Sequence, residues 1–130
     1  MYNYTLSDFI SRLNVAKRKH LKTIIIKPSN LVLSLLKIFE EIGIIRGYSL
    51  LDDYMIEVYL KYGSSRCAFS RLAVISKPSR RIYVNMLNLH KMKEFYAGDI
   101  LILSTSNGFM IDTDCMKYRK GGLVMLRITV

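Results

Sequence analysis

The sequence predicts an α+β chain of two small modules, an N-terminal α-β-α-β-β module over residues 1–62 and a C-terminal β-rich module with short helices over residues 63–130. Three observations carry the prediction. Leu6, Phe9, Ile10, Leu13 and Ala16 recur at helical spacing, several short β-branched runs are bounded by turn residues, and the composition shifts at Gly63-Ser64-Ser65.

The first helix is expected over Leu6–Lys19, with Thr5 or Ser7 as N-cap and Lys17, Arg18, Lys19 and Lys22 at its cationic end, where the helix dipole favours them. Thr23-Ile24-Ile25-Ile26-Lys27 reads as a strand stopped by Pro28. Ser29 or Asn30 then caps a helix over Leu31–Ile42, striped by Val32, Leu35, Leu36, Phe39 and Ile42 and ended by Gly43. Ile44–Leu50 and Met55–Leu60 follow as strands around a hairpin turn at Leu51-Asp52-Asp53-Tyr54. In the second module, strands are expected at Arg71–Ser76, Arg81–Met86, Ile100–Leu103 and Leu123–Val130, with a helical stretch near Leu89–Tyr96.

Composition narrows the function. Twenty Lys and Arg against ten Asp and Glu give a net charge of +10 on 130 residues, which points to a polyanionic partner. Residues 1–62 carry nine basic and six acidic side chains, whereas residues 63–130 carry eleven and four, so the excess is concentrated in the second module. The longest run without a charged side chain, Ile100–Ile111, is too short and too polar to span a membrane, so no membrane association is expected. Cys67 and Cys115 lack metal-site spacing and read as two small buried hydrophobes in a reducing compartment. His20 and His90 lie in no H-E-x-x-H or triad context, and no phosphate-loop or dinucleotide fingerprint occurs. No cofactor, metal, catalytic residue or small-molecule substrate is therefore expected.

Ser104-Thr105-Ser106-Asn107-Gly108, set between two apolar runs, is the most distinctive local text. Asn107-Gly108 predicts a tight turn because both residues tolerate positive φ, and the three hydroxyls before it can serve either the local backbone or phosphates, sugars and base edges. Its surroundings favour binding. Arg66, Arg71, Lys77, Arg80 and Arg81 occur with no acidic residue between positions 66 and 81. Lys77-Pro78-Ser79-Arg80-Arg81 reads as a basic turn suited to a phosphate backbone, and Tyr83 can stack on a base or pack in a strand. In the loop Lys117-Tyr118-Arg119-Lys120-Gly121-Gly122, three cations precede a glycine pair that permits close backbone approach.

These residues resemble the universal ribosomal protein eight family of the small subunit over almost the whole chain. The resemblance is carried by Asp8-Phe9-Ile10-Ser11-Arg12-Leu13, Lys27-Pro28-Ser29-Asn30, Glu40-Glu41-Ile42-Gly43, Ile75 through Tyr83, Ile102 through Met110 and Gly121-Gly122. It implies a non-catalytic protein that binds the central domain of small-subunit rRNA, supports subunit assembly and adjoins neighbouring small-subunit proteins. On that resemblance Ser104, Thr105 and Ser106 enter an RNA minor groove, Gly108 permits the turn, and Lys77, Arg80 and the Gly121-Gly122 loop hold nearby backbone. Asn107 stands where the family usually has Lys, Ser79 where it has Gly, and Leu123 where an acidic residue commonly follows Gly-Gly. The alternatives to this reading are an RNA-processing enzyme using His20 or His90 and a generic basic protein-interaction module.

Ile, Asn, Tyr, Lys, Phe and Met total 53 residues against 22 for Ala, Gly, Pro and Arg, the bias of AT-rich coding DNA. With the resemblance beginning by Asp8 and no room expected for a transit peptide, the sequence points to a protein encoded and used in an organelle. A mitochondrial ribosome in the matrix is the first expectation, a plastid or a bacterial cytoplasm the alternative.

Overall fold

The computed structural model of the chain describes residues 2–52, 54–63, 66–77 and 79–130, and of residues 2–4 and 66 the backbone only. These residues form two compact units, Met1–Ser70 and Arg71–Val130. Ser64 and Ser65 of the expected junction, Asp53 of the expected hairpin turn and Pro78 of the basic turn lie outside the described residues.

The first unit contains helix α1 (Tyr2–Arg18), strand β1 (Thr23–Ile26), helix α2 (Asn30–Ile42) and strands β2 (Ile45–Asp52) and β3 (Met55–Leu60). The whole expected stripe of α1 is buried, and Phe9 stacks on Phe39 of α2 with ring centroids 6.0 Å apart. Each such buried side chain contributes about 1.5–3 kcal/mol of transfer free energy. α1 starts earlier than its stripe suggests, so Thr5 and Ser7 lie inside the helix and do not cap it. α2 begins as its residues dictate. Ser29 Oγ accepts the Val32 N–H at 3.1 Å, and Gly43, at φ 90°, closes the helix by donating to Phe39 O at 3.0 Å. The three strands form an antiparallel sheet in the order β1-β3-β2, with Asp52 opposite Met55 at the hairpin end. A short ribbon that carried no sequence signal, β4 (Tyr62–Gly63) with β5 (Arg66–Cys67), follows. Beside it the Tyr62 hydroxyl donates to Leu21 O at 2.6 Å.

The second unit is built on β10 (Gly122–Thr129). One of its edges pairs with β8 (Ile100–Thr105), which continues to β9 (Gly108–Ile111); the other takes β7 (Tyr83–Val84) and β6 (Arg71–Val74) in succession. Leu89 of helix α3 (Met86–Phe95), Cys115 of helix α4 (Asp112–Lys117), and Leu101, Leu103 and Val124 of the sheet form one buried cluster. The expected strand Arg81–Met86 is reduced to two residues, because Asn85 Oδ1 accepts the Asn88 N–H at 2.8 Å and starts α3 there.

Helix α4 occupies a stretch that the sequence leaves as turn and loop. Its first residue, Asp112, is buried, accepts the Leu101 N–H at 3.1 Å and the Thr113 N–H at 2.7 Å, and pairs with Lys93 Nζ at 2.8 Å. Asp99 likewise pairs with Arg127, whose guanidinium lies 4.3 Å from the centre of the Tyr96 ring. Both carboxylates are structural, as their place between strands and turns suggests.

Two substitutions test the core assignment. Leu103→Ala should destabilise the chain by about 2–5 kcal/mol in urea unfolding, whereas Leu87→Ala, at an exposed position, should stay within about 0.5 kcal/mol.

Candidate nucleic-acid interface

The start of β10 gathers most of the residues singled out from the sequence. Gly122 is in register with Val84, and Leu123 is in register with both Tyr83 and Ser104. A Cβ on Gly122 would lie 2.3 Å from Ser104 O, and one on Gly121 would lie 2.5 Å from Val84 O. The glycine pair therefore permits a close approach, but the backbone that approaches is the protein's own. It draws β7 and β8 against β10 and so brings Tyr83 and the hydroxyl hairpin together.

The hairpin turns at Ser106-Asn107, one residue earlier than the Asn107-Gly108 pair suggests. Ser104 and Thr105 belong to β8, Thr105 pairs with Gly108, and Gly108 alone takes the left-handed conformation, at φ 91°. Asn107 keeps negative φ, as in a turn followed by a glycine bulge. Thr105 Oγ1 accepts the Asn107 N–H at 3.1 Å and donates to Gly108 O at 2.9 Å, so its hydroxyl is spent in holding the turn. Among the described residues, the hydroxyls of Ser104 and Ser106 have no hydrogen-bond partner; Ser104 is half-buried, and Ser106 is exposed with Asn107. Two hydroxyls and an amide are thus available to a ligand on a hairpin that the third hydroxyl fixes.

The basic turn is fastened to the same part of β10. Lys77 and Arg80 exchange backbone hydrogen bonds at 2.9 and 3.0 Å. Buried Ser76 donates its hydroxyl to Val124 O and accepts the Ile82 N–H at 3.1 Å, and the Val124 N–H donates to Ile82 O at 2.9 Å. The sequence marks Ser76 only as part of the Ile75–Tyr83 segment, a lone serine between an apolar run and Lys77. Lys77, Arg80 and Arg81 are exposed, and among the described residues none has an acidic partner. Tyr83 is 67% exposed, which makes it a ring on the surface and not a packing residue.

Lys120 stands at the other approach to β10. The loop before the glycine pair is the closed end of α4: Arg119 adopts φ 54° and the Lys120 N–H donates to Cys115 O at 2.8 Å. Of the four acidic residues after Ser70, Asp99 and Asp112 are held in ion pairs with Arg127 and Lys93, which leaves eight cations of the second unit against Glu94 and Asp114. The described residues contain no helix long and apolar enough to cross a membrane and no cluster of His, Cys, Asp and Glu that could hold a metal.

The model of the family described as ribosomal protein S8 matches residues 4–129. The chain belongs to the ribosomal protein S8 family. It is a structural, rRNA-binding protein of the ribosome and not an enzyme, which sets aside the RNA-processing reading of His20 and His90. Its partners are accordingly ribosomal RNA and ribosomal proteins. A relative from Acanthamoeba castellanii, the small ribosomal subunit protein uS8m, is 33% identical over 95% of this chain and 97% of its own length. Small ribosomal subunit proteins uS8 from Campylobacter hominis and Mycoplasmopsis pulmonis are 35% and 34% identical, over 98% and 95% of this chain and 99% and 94% of theirs. The S8 relatives thus include mitochondrial and bacterial proteins.

Two expectations follow from this geometry. Gly122→Ala should lower stability by about 1–3 kcal/mol, seen as a drop in the thermal midpoint, while Gly63→Ala, whose added methyl meets nothing within 4 Å, should change it by less than about 0.5 kcal/mol. Burial, helped by Asp112 and Asp114, pushes the Cys115 thiol up to about 11, so at pH 8 it stays protonated and shielded. Iodoacetamide at pH 8 should therefore modify half-buried Cys67 first and reach Cys115 only on unfolding, as read by peptide mass spectrometry.

Proposed function

We propose that this chain is a constituent of the small ribosomal subunit that holds small-subunit rRNA through the start of β10. The observation that carries the reading is the convergence there of the Ser104–Gly108 hairpin, Gly121-Gly122 and Tyr83 within one stretch of strand register. RNA is read through shape, 2′-hydroxyls and phosphates, and this stretch offers one kind of group for each. Ser104, Ser106 and Asn107 supply hydrogen-bonding groups for a minor groove. Lys77, Arg80, Arg81 and Lys120 supply cations for the flanking backbone, and Tyr83 supplies a ring for an unstacked base or a ribose.

Within this reading Thr105, Gly108, Gly121 and Gly122 act by placing the others. The second unit is the main RNA-binding module, because it holds the hairpin and the larger share of the net positive charge, +6 against +4. The RNA is the central domain of small-subunit rRNA, bound early enough to support assembly of the subunit. A mitochondrial ribosome, with the protein encoded in the organelle, fits the AT-rich composition and the similarity to the Acanthamoeba protein.

The test is binding of the purified chain to a short irregular helix from the central domain of small-subunit rRNA at several salt concentrations. Ser106→Ala should weaken binding about five- to tenfold with no change in thermal midpoint, the loss of roughly one hydrogen bond. Arg80→Ala should weaken binding and flatten the logarithmic salt dependence by about one unit. Thr105→Ala should weaken binding and loosen the hairpin together, and Cys67→Ala should do neither. Equal effects of Ser106→Ala and Cys67→Ala would remove the hairpin from the interface.

A further inference from the structure

The hairpin end of β2 and β3 is unlike the rest of the surface in two respects. Four large apolar side chains are exposed within six residues: Leu50, Leu51, Tyr54 and Met55, with Tyr54 at 77%. The segment between Arg46 and Lys61 contains no cation but three of the ten acidic residues, Asp52, Asp53 and Glu57. In register across the sheet, Asp52 lies opposite Met55, and Glu57 lies opposite Ile25, which is itself exposed. Among the described residues, neither Asp52 nor Glu57 has a cationic partner; Asp52 accepts the Tyr54 N–H at 2.7 Å and Glu57 accepts the Tyr59 hydroxyl at 3.2 Å.

An exposed apolar cluster with uncompensated negative charge is unsuited to a phosphate backbone, which it repels, and it loses free energy while it stays in water. The same tip is complementary to a cationic segment that also brings apolar side chains. Strand β2 strengthens the case. It is an edge strand of eight residues, and between Arg46 and Asp52 it carries none of the charges or prolines that keep edges from pairing, so its free side can accept backbone hydrogen bonds from an added chain.

We infer that the acidic, apolar tip of the β2–β3 hairpin, centred on Leu51, Asp52 and Tyr54, is a docking surface for a basic, apolar-bearing segment of a neighbouring protein in the ribosomal particle. The inference rests on the reading of the chain as a small-subunit constituent. The RNA-facing stretch of β10 and this tip then divide the partners by charge: cations and hydroxyls face RNA, carboxylates and apolar side chains face protein.

The experiment places the photoreactive residue p-benzoylphenylalanine at Tyr54 in the full chain and irradiates purified small subunits that have incorporated it. The products are sorted by ribonuclease and protease sensitivity and the cross-linked peptide is sequenced. The expected result is a cross-link to a protein segment of net positive charge, with its yield reduced about fivefold by Asp52→Lys. Binding of the same variants to the rRNA helix should be unchanged, and their thermal midpoints should fall only slightly, since the substituted positions are exposed and Asp52→Lys removes one turn bond to the Tyr54 N–H. A cross-link to rRNA, to a second copy of this chain or to no partner would overturn the inference, as would a protein cross-link indifferent to Asp52→Lys. Failure of the chain to enter small subunits at all would instead overturn the functional reading beneath it.

Discussion

The geometry of the second unit depends on one contact that only glycine permits. Where β10 begins, the backbone of Ser104 crosses so close to Gly122 that any side chain there would overlap the Ser104 carbonyl, and Val84 crowds Gly121 in the same way. Relieving either overlap would move β8 or β7 outward. The first movement carries the hydroxyl hairpin with it and the second carries Tyr83 and the chain leading back to the basic turn. The glycine pair is thus best understood as the point from which the candidate interface is measured, and not as one of its ligands.

That constraint also explains how a surface with few charges at its centre can sit in a strongly basic unit. The hairpin contributes neutral donors and acceptors, whose directions are set by Thr105 bonding across the turn. The cations stand on its flanks, at the Lys77–Arg80 turn fixed by Ser76 and at the end of α4 fixed by the Arg119 conformation. Two of the four carboxylates that would offset them are withdrawn into ion pairs with Lys93 and Arg127, where they hold α4 and β8 in place. On the proposed reading, charge supplies attraction over a distance set by salt, and the hairpin hydroxyls supply selectivity at contact.

Much of this was legible in the sequence where a single residue decides a local structure. Ser29 and Gly43 bound α2, because a cap hydroxyl and a left-handed residue each have one strongly preferred use. The stripe of α1 and the alternation of β3 were equally plain, as apolar residues at period 3.6 and period 2 must be buried on one face. What escaped had its cause at long range. α4 is only six residues long and starts on Asp112, which is helical because it pairs with Lys93 and holds the Leu101 amide, partners distant in sequence. The ribbon of β4 and β5 is too short for periodicity, and the division of Arg81–Met86 into a strand and a helix start turned on the side chain of Asn85. At the candidate site the residue types were legible but their division of labour was not. Ser104, Thr105 and Ser106 look alike in sequence, yet one is structural and two are free.

The two departures from the family pattern nearest this site acquire a joint meaning from the register. Asn107 stands at the hairpin tip where the resemblance read from the sequence implies Lys, and Leu123 stands opposite Ser104 and Tyr83 where it implies an acidic residue. One replacement removes a positive charge and the other a negative charge, within the same few residues of β8, the turn and β10. The local net charge is therefore preserved while both positions become neutral, and two charges that would each orient an approaching phosphate differently are removed. On the proposed reading, the hairpin is left to recognise RNA by hydrogen-bonding groups and shape, and long-range attraction falls to Lys77, Arg80, Arg81 and Lys120.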